Sequence, residues 1–176
     1  MEKIIDSEIT LKQISRDFAH DLFILVQKNK NGNLCYWCPD LKKTYASLET
    51  TFTHINDANS KFEADKTPDF VIFYKGIIAG LISLSPINSG NLTSEIGYWL
   101  GSEYEGLGII SRSFPFVLDY AKDVLQLKAI ELSTSIPNIR SQKLPINFKF
   151  QKVRTIPNAE ILEDGKVDHI LWRREF

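Results

Sequence analysis

The segment Glu95–Arg112, reading EIGYWLGSEYEGLGIISR, constrains the fold more than any other part of the chain. Ile96, Tyr98 and Leu100 alternate on one face of a strand, Glu105-Gly106-Leu107-Gly108 breaks it, and an amphipathic segment follows at once. The two glycines let the backbone approach a ligand and turn its N–H groups toward one point. The helix behind them adds its unpaired N-terminal N–H groups and the positive end of its dipole. A strand, a glycine turn and a helix start together make an anion site, most naturally for a phosphate or pyrophosphate.

The remaining elements follow from periodicity. Glu8–Leu11 alternates as a strand, and Phe18, Leu22, Leu25 and Val26 fall at helical spacing before Asn31-Gly32 stops the helix. Asn33–Lys43 reads as irregular, and a second helix is expected from Tyr45 to Ala64. Asp69–Tyr74 and Ile77–Ile87 read as strands joined at Lys75-Gly76, and Asn88–Asn91 turns the chain into the strand at Glu95. Phe114, Val117, Leu118, Ala121 and Leu125 form one helix stripe, and Ala129–Thr134 is a strand. Ile139–Leu144 is a short helix, and Val153–Leu162 with Lys166–Arg173 is a hairpin turned at Asp164-Gly165. This order predicts a mixed α/β sheet in one domain spanning residues 1–176.

Composition narrows the function classes. Hydrophobic residues make up 43% and charged residues 24%, as in an ordinary globular protein, and the net charge of −1 leaves no electrostatic footprint for nucleic acid or an anionic membrane. The opening MEKIIDSEITLKQ has no uninterrupted apolar core and is not read as a signal peptide, so a cytoplasmic location is expected. The sequon Asn91-Leu92-Thr93 then has no use. Cys35 and Cys38 sit in CYWC, but the three histidines are scattered, so two semi-buried thiols are expected rather than a metal site.

The glycine segment, together with Asn138-Ile-Arg-Ser141, Pro145, Phe150 and AEILEDGKVDH at 159–169, resembles the GNAT superfamily of N-acetyltransferases, and within it the RimL/RimJ type. The resemblance covers Phe70 to the C-terminus and is weaker over the first 65 residues. It implies the GNAT fold, a mixed and mostly antiparallel central sheet flanked by helices on both faces. Three positions depart from the pattern. Glu103 stands where Gln or Arg is usual, Lys149 replaces a Gly before Phe150, and Thr134 takes a position that is often Cys.

The resemblance further implies acetyl-CoA as donor, an amine as acceptor and no metal. The pyrophosphate is expected on the N–H groups of Glu105, Gly106, Leu107, Gly108, Ile109, Ile110 and Ser111, and the pantetheine alongside Tyr98, Trp99 and Leu100. Main-chain donors near Trp99 would stabilise the oxyanion. Glu160, in an apolar run with Ala159, Ile161 and Leu162, is a candidate base, and Glu95 is the alternative. Asn138 is a helix cap or a pantetheine contact, and Ser141 a capping hydroxyl or the proton donor to the leaving thiolate. Arg140 and Lys143, or Arg112 in their place, would meet the adenosine 3′-phosphate. Trp37 and Tyr104, with Tyr36 and Phe52, are candidates for the acceptor side. The acceptor expected by resemblance is a protein N-terminal α-amine, such as that of a ribosomal protein. A small amine (a polyamine or an antibiotic) and a non-catalytic acyl-CoA-binding module are the alternatives, and homodimerisation is a family habit.

Overall fold

The computed structural model describes residues 1–176. Along the chain come β1 (Glu2–Ile4), β2 (Ile9–Gln13), α1 (Ala19–Lys28), α2 (Asn33–Trp37), α3 (Leu41–Thr44), α4 (Leu48–Asp65), β3 (Asp69–Tyr74) and β4 (Ile77–Leu84). They are followed by β5 (Thr93–Leu100), α5 (Ile109–Asp119), β6 (Ala129–Ser135), α6 (Ile139–Asn147), β7 (Gln151–Leu162) and β8 (Gly165–Glu175). The eight strands are hydrogen-bonded in the order β1-β2-β3-β4-β5-β6-β8-β7 and are mostly antiparallel, with β5 and β6 parallel. The chain forms two compact units, Met1–Leu84 with Tyr98–Val117 and Ser85–Gly97 with Leu118–Phe176.

In the first unit, the β3–β4 hairpin turns on Lys75 and Gly76, both left-handed with φ of 51° and 80°, as a two-residue primed turn requires. Leu22, Leu25 and Val26 of α1 bury their stripe against Ile55 and Ala58 of α4 and Val71, Ile78 and Leu81 of the sheet. Helix α4 starts at Leu48 rather than Tyr45, because Ser47 and Thr50 form a reciprocal capping box. Tyr45 is thereby left outside the helix. It is fully buried, with its ring 5.5 Å from His54 and 5.8 Å from Trp99.

Asn33–Lys43, expected to be irregular, holds the short helices α2 and α3, separated near Pro39, and α2 is held by the burial of Leu34 and Cys35. Strand β1 escaped the sequence because its three residues are all exposed and show no alternation. Strand β4 stops at Leu84, short of Ile87, where Pro86 has no N–H to continue a ladder.

Backbone packs closely on Gly80. A Cβ there would sit 2.1 Å from the Trp99 carbonyl oxygen and 2.9 Å from Leu100 Cα. Next to it β4 bulges: Ile72 faces Gly80 and Phe73 faces Ile78, which leaves Ala79 as an extra residue. The Ala79 carbonyl accepts the Gly101 N–H at 2.9 Å, so the bulge fixes where β5 ends.

In the second unit, β5 pairs with β6 only over Thr93–Glu95 against Ala129–Glu131. Strand β8 pairs with β6 through seven residues and with β7 on its other side. Helix α6 runs on to Asn147 with Pro145 inside it, further than the expected Leu144, since Leu144 and Pro145 are both buried. Of the helix stripe, Phe114 and Val117, in the first unit, and Leu118 and Ala121, in the second, are buried, and the helical run ends in a wider π-type turn over Tyr120–Val124.

Two substitutions test this packing. Gly80→Ala drives a methyl group into the Trp99 carbonyl and is expected to cost about 1–3 kcal/mol, read as a fall in melting temperature of several degrees. The Tyr45 hydroxyl is buried without a hydrogen-bond partner, and burial pushes its pKa up. Tyr45→Phe is therefore expected to hold stability or raise it by about 1 kcal/mol in denaturant unfolding; a loss of that size would show the hydroxyl to be satisfied.

Candidate functional site

The glycine loop lies in the first unit. Gly106 and Gly108 are both left-handed, with φ of 79° and 71°, and a Cβ on Gly108 would meet nothing within 4 Å. Helix α5 begins at Ile109, and its first intrahelical bond runs from the Arg112 N–H to the Gly108 carbonyl at 3.0 Å. The N–H groups of Gly108, Ile109, Ile110 and Ser111 therefore have no acceptor within the helix. Gly106, Leu107 and Gly108 are exposed, so the sequence-predicted anion loop is open to solvent.

The approach to the loop is held from two sides. The Asn29 side chain, at the C-terminal end of α1 and only 5% exposed, accepts the Ser102 N–H at 2.9 Å and donates to the Leu25 carbonyl and to Glu103. Glu103 also pairs with Lys28 at 2.8 Å. Burial raises the Glu103 pKa, but the Lys28 and Asn29 bonds outweigh it and hold the carboxyl below its ordinary range. The residue that departs from the family pattern thus fastens the turn Ser102–Tyr104 to α1.

On the other side, Arg112 pairs with Asp6 at 3.0 Å and Glu8 at 2.9 Å, and reaches the Leu107 carbonyl at 3.4 Å. Its guanidinium is committed to two carboxylates, which weakens its candidacy for a ligand phosphate. Tyr98, Trp99 and Leu100 are half-buried, with Tyr98 edge-on to Phe114 at 6.5 Å.

Tyr104 lines a surface cavity with Phe73, Ile77 and Ile78, which Trp37 does not line. Trp37 packs edge-to-face on Tyr36 at 4.8 Å. Phe52 lies under the Arg16 guanidinium, 4.5 Å from its ring centroid. Cys35 is buried, and burial raises its thiol pKa, so it behaves as a core residue.

The candidate carboxylates lie in the second unit, Glu95 on β5 and Glu160 on β7, with β6 and β8 between them. Glu95 faces Glu131 across β5–β6, and the Ser133 N–H, two residues beyond that last pair, donates to the Glu95 carboxylate. Burial, and then the neighbouring Glu131 carboxylate, push the Glu95 pKa up, while His169 and the Ser133 N–H pull it down less. Glu95 still touches water, since Gly97 leaves the same face open. Glu131 is in turn neutralised by Arg173 at 2.9 Å.

Of the apolar run around Glu160, Leu162 is buried while Ala159 and Ile161 are exposed. The carboxylate meets His169, whose Nε2 lies 3.2 Å from Glu160 Oε2. The register explains the meeting. Ile156 faces His169 but Glu160 faces Val167, so two extra residues bulge out of β7 and bring Glu160 to the slot beside His169. The bulge is pinned by Asn158, left-handed at φ 51°, whose N–H donates to the Asp168 carboxylate at 2.9 Å.

Asn138 caps α6 through its side-chain oxygen, which accepts the Ser141 N–H at 3.1 Å. That accounts for Asn138 as a cap and places Ser141 in the first turn, with Arg140 and Lys143 exposed beside it. Thr134 is buried and accepts the Trp172 indole N–H at 2.8 Å, so the position that is often Cys serves the core here. Sequence reasoning missed the links through Ser133 and His169 and the staple at Asn29. The period-two spacing of Glu131 and Ser133 was the signal available for the first of these. No group of three or more His, Cys, Asp or Glu side chains is arranged to hold a metal ion, and no helix is long and apolar enough to cross a membrane.

A mixed α/β chain with a mostly antiparallel eight-stranded sheet and a glycine loop ahead of α5 has the plan of the GNAT fold. Residues 8–151 match the family model described as an acetyltransferase (GNAT) domain, and the chain belongs to that family. It is 33% identical over 95 residues to YdaF of Bacillus subtilis, which carries the name of a ribosomal N-acetyltransferase; the match covers 54% of this chain and 46% of that protein. It is 30% identical over 105 residues to the ribosomal-protein-serine acetyltransferase of Escherichia coli, covering 60% of this chain and 59% of that one. The matches thus span about half the length of these curated relatives. Among solved structures, RimL, a ribosomal α-N-protein acetyltransferase in complex with coenzyme A, superposes with a TM-score of 0.92 at 22% identity, over 100% of this chain and 98% of that one.

The strained electrostatics of Glu95 predict a pH effect on stability. Its folded pKa lies above the ordinary 4.5, so ionisation costs folding free energy above the raised value, and the cost vanishes below 4.5. Glu95→Gln is expected to melt higher than the parent at pH 8, with the advantage shrinking to nothing as the pH falls below the ordinary carboxylate range.

Proposed function

We propose that residues 1–176 act as one acetyl-CoA-dependent N-acetyltransferase domain that transfers acetyl directly to an amine, with a protein N-terminal α-amine as the acceptor. The observation that carries this reading is the pair of left-handed glycines opening onto the first turn of α5. Such a loop suits a pyrophosphate, because its N–H donors converge without a side chain in the way. The RimL structure with coenzyme A and the names of the relatives favour the donor and a ribosomal-protein acceptor.

In this reading Gly106 to Ser111 hold the pyrophosphate, and the backbone of Tyr98 to Leu100 aligns the acyl arm. Arg140 and Lys143, both exposed, supply positive charge for the 3′-phosphate. An ammonium does not attack a thioester, so Glu160 takes the proton that makes the amine nucleophilic. Ser141, in the capped first turn of α6, returns a proton to the leaving thiolate. Much of the rate comes from holding amine and thioester together rather than from a covalent step on the enzyme.

The test is thiol release from acetyl-CoA with a panel of acceptors: peptides with free Ser or Ala N-termini, polyamines and aminoglycosides. Release with the peptides is expected, and release only with a small amine would overturn the acceptor assignment. Gly106→Trp, which fills the loop, is expected to abolish acetyl-CoA binding in calorimetry. Unchanged affinity would remove the loop from the site.

A further inference from the structure

His169 touches Glu160 and is held on both ring nitrogens. Its Nε2 lies 3.2 Å from Glu160 Oε2 and its Nδ1 lies 3.0 Å from Ser133 Oγ. Both side chains of the Glu160–His169 pair are mostly shielded, at 24% and 16% exposure. An ionised carboxylate only accepts hydrogen bonds, so the Nε2 facing it must carry the proton. In that tautomer Nδ1 is the acceptor, and the Ser133 hydroxyl donates to it. Ser133 is itself anchored, since its N–H donates to Glu95.

We propose that His169 is a positioning residue for Glu160: fixed by Ser133 as the Nε2–H tautomer, it holds the Glu160 carboxylate in one orientation for the acceptor's ammonium proton. The inference rests on Glu160 as the base, and it adds a connected row across four strands, Glu95 on β5, Ser133 on β6, His169 on β8 and Glu160 on β7. The row has a function that a structural histidine would lack. A carboxylate on an exposed edge strand rotates freely, whereas one gripped by a fixed N–H donor presents the same lone pair at each turnover. The bulge at Pro157-Asn158 is what brings the grip about, because without it Asn158 would face Val167. The groups that face His169 are Glu160 from β7, Ser133 from β6 and, through space, Glu95 from β5, with Glu131 balanced by Arg173 beyond them.

Two measurements on the full chain test it. The 15N spectrum of the labelled protein contains three histidines, His20, His54 and His169, and loss of one set of signals in His169→Gln assigns the third. That set is expected to show a protonated Nε2 and a bare Nδ1 at neutral pH, and Ser133→Ala is expected to mix the tautomers. A protonated Nδ1 in the parent would overturn the proposal whatever the kinetics.

In the acetyl-transfer assay, His169→Ala is expected to lower kcat by about tenfold or more with KM for acetyl-CoA unchanged, and to move the acid limb of the kcat/KM profile to higher pH. His169→Gln, whose amide N–H reaches the same place, is expected to recover most of the loss. Glu160→Gln with His169→Ala should be no slower than Glu160→Gln alone. If Glu160→Gln is inactive while His169→Ala keeps the parent's kcat and pH profile, Glu160 stands as base and the positioning role falls. If Glu160→Gln is fully active, the base assignment falls and the proposal with it.

Discussion

The position of Glu95 in one unit and the start of the glycine loop in the other both depend on the backbone hydrogen bonds of strand β5. Its parallel ladder with β6 lasts three residues, and a strand that stops pairing leaves N–H groups that must find other acceptors. The Glu95 side chain answers that need by taking the Ser133 N–H. In the other unit, the end of β5 is set by contact rather than by pairing. Gly80 lets the Trp99 carbonyl approach within a distance no side chain would permit, and the Ala79 bulge takes the Gly101 N–H. The glycine loop follows directly from that fixed end.

Electrostatics in the two units serve different purposes. Around the loop, the charges are paired off: Glu103 with Lys28, and Arg112 with Asp6 and Glu8. Such pairs stabilise little at a surface, but together with the buried Asn29 they hold the turn and the first turn of α5 in position. A loop that must bind an anion through backbone N–H groups gains from rigidity more than from extra cations. In the second unit the charges are left in tension. Glu95 is crowded by Glu131, which with burial pushes its pKa up, and Glu160 meets His169.

The fold was largely legible from local signals. The hairpin at Lys75-Gly76, the strand into the glycine turn and the stripe of Phe114, Val117, Leu118 and Ala121 all lie where period and turn chemistry put them. The misses share a cause. Tyr45 satisfies the helical period of α4, yet the capping box at Ser47 excludes it, because two hydrogen bonds at the helix end outweigh one more residue of propensity. Strand β1 has no pattern because neither of its faces is buried. Glu160 was identified by its neighbours in sequence, but of those only Leu162 is buried, and its contact with His169 comes from β8.

The sequence by itself determined most of the elements and the glycine turn ahead of α5, since each depends on residues within one turn of one another. Tertiary structure alone decided which side chains meet. Ser133, His169 and Glu160 lie on three strands and come together only through a register that includes a two-residue bulge in β7. A shift of one residue in either ladder would send them to opposite faces. Register is settled by the whole sheet and its buried face, so nothing local to those residues announces the contact.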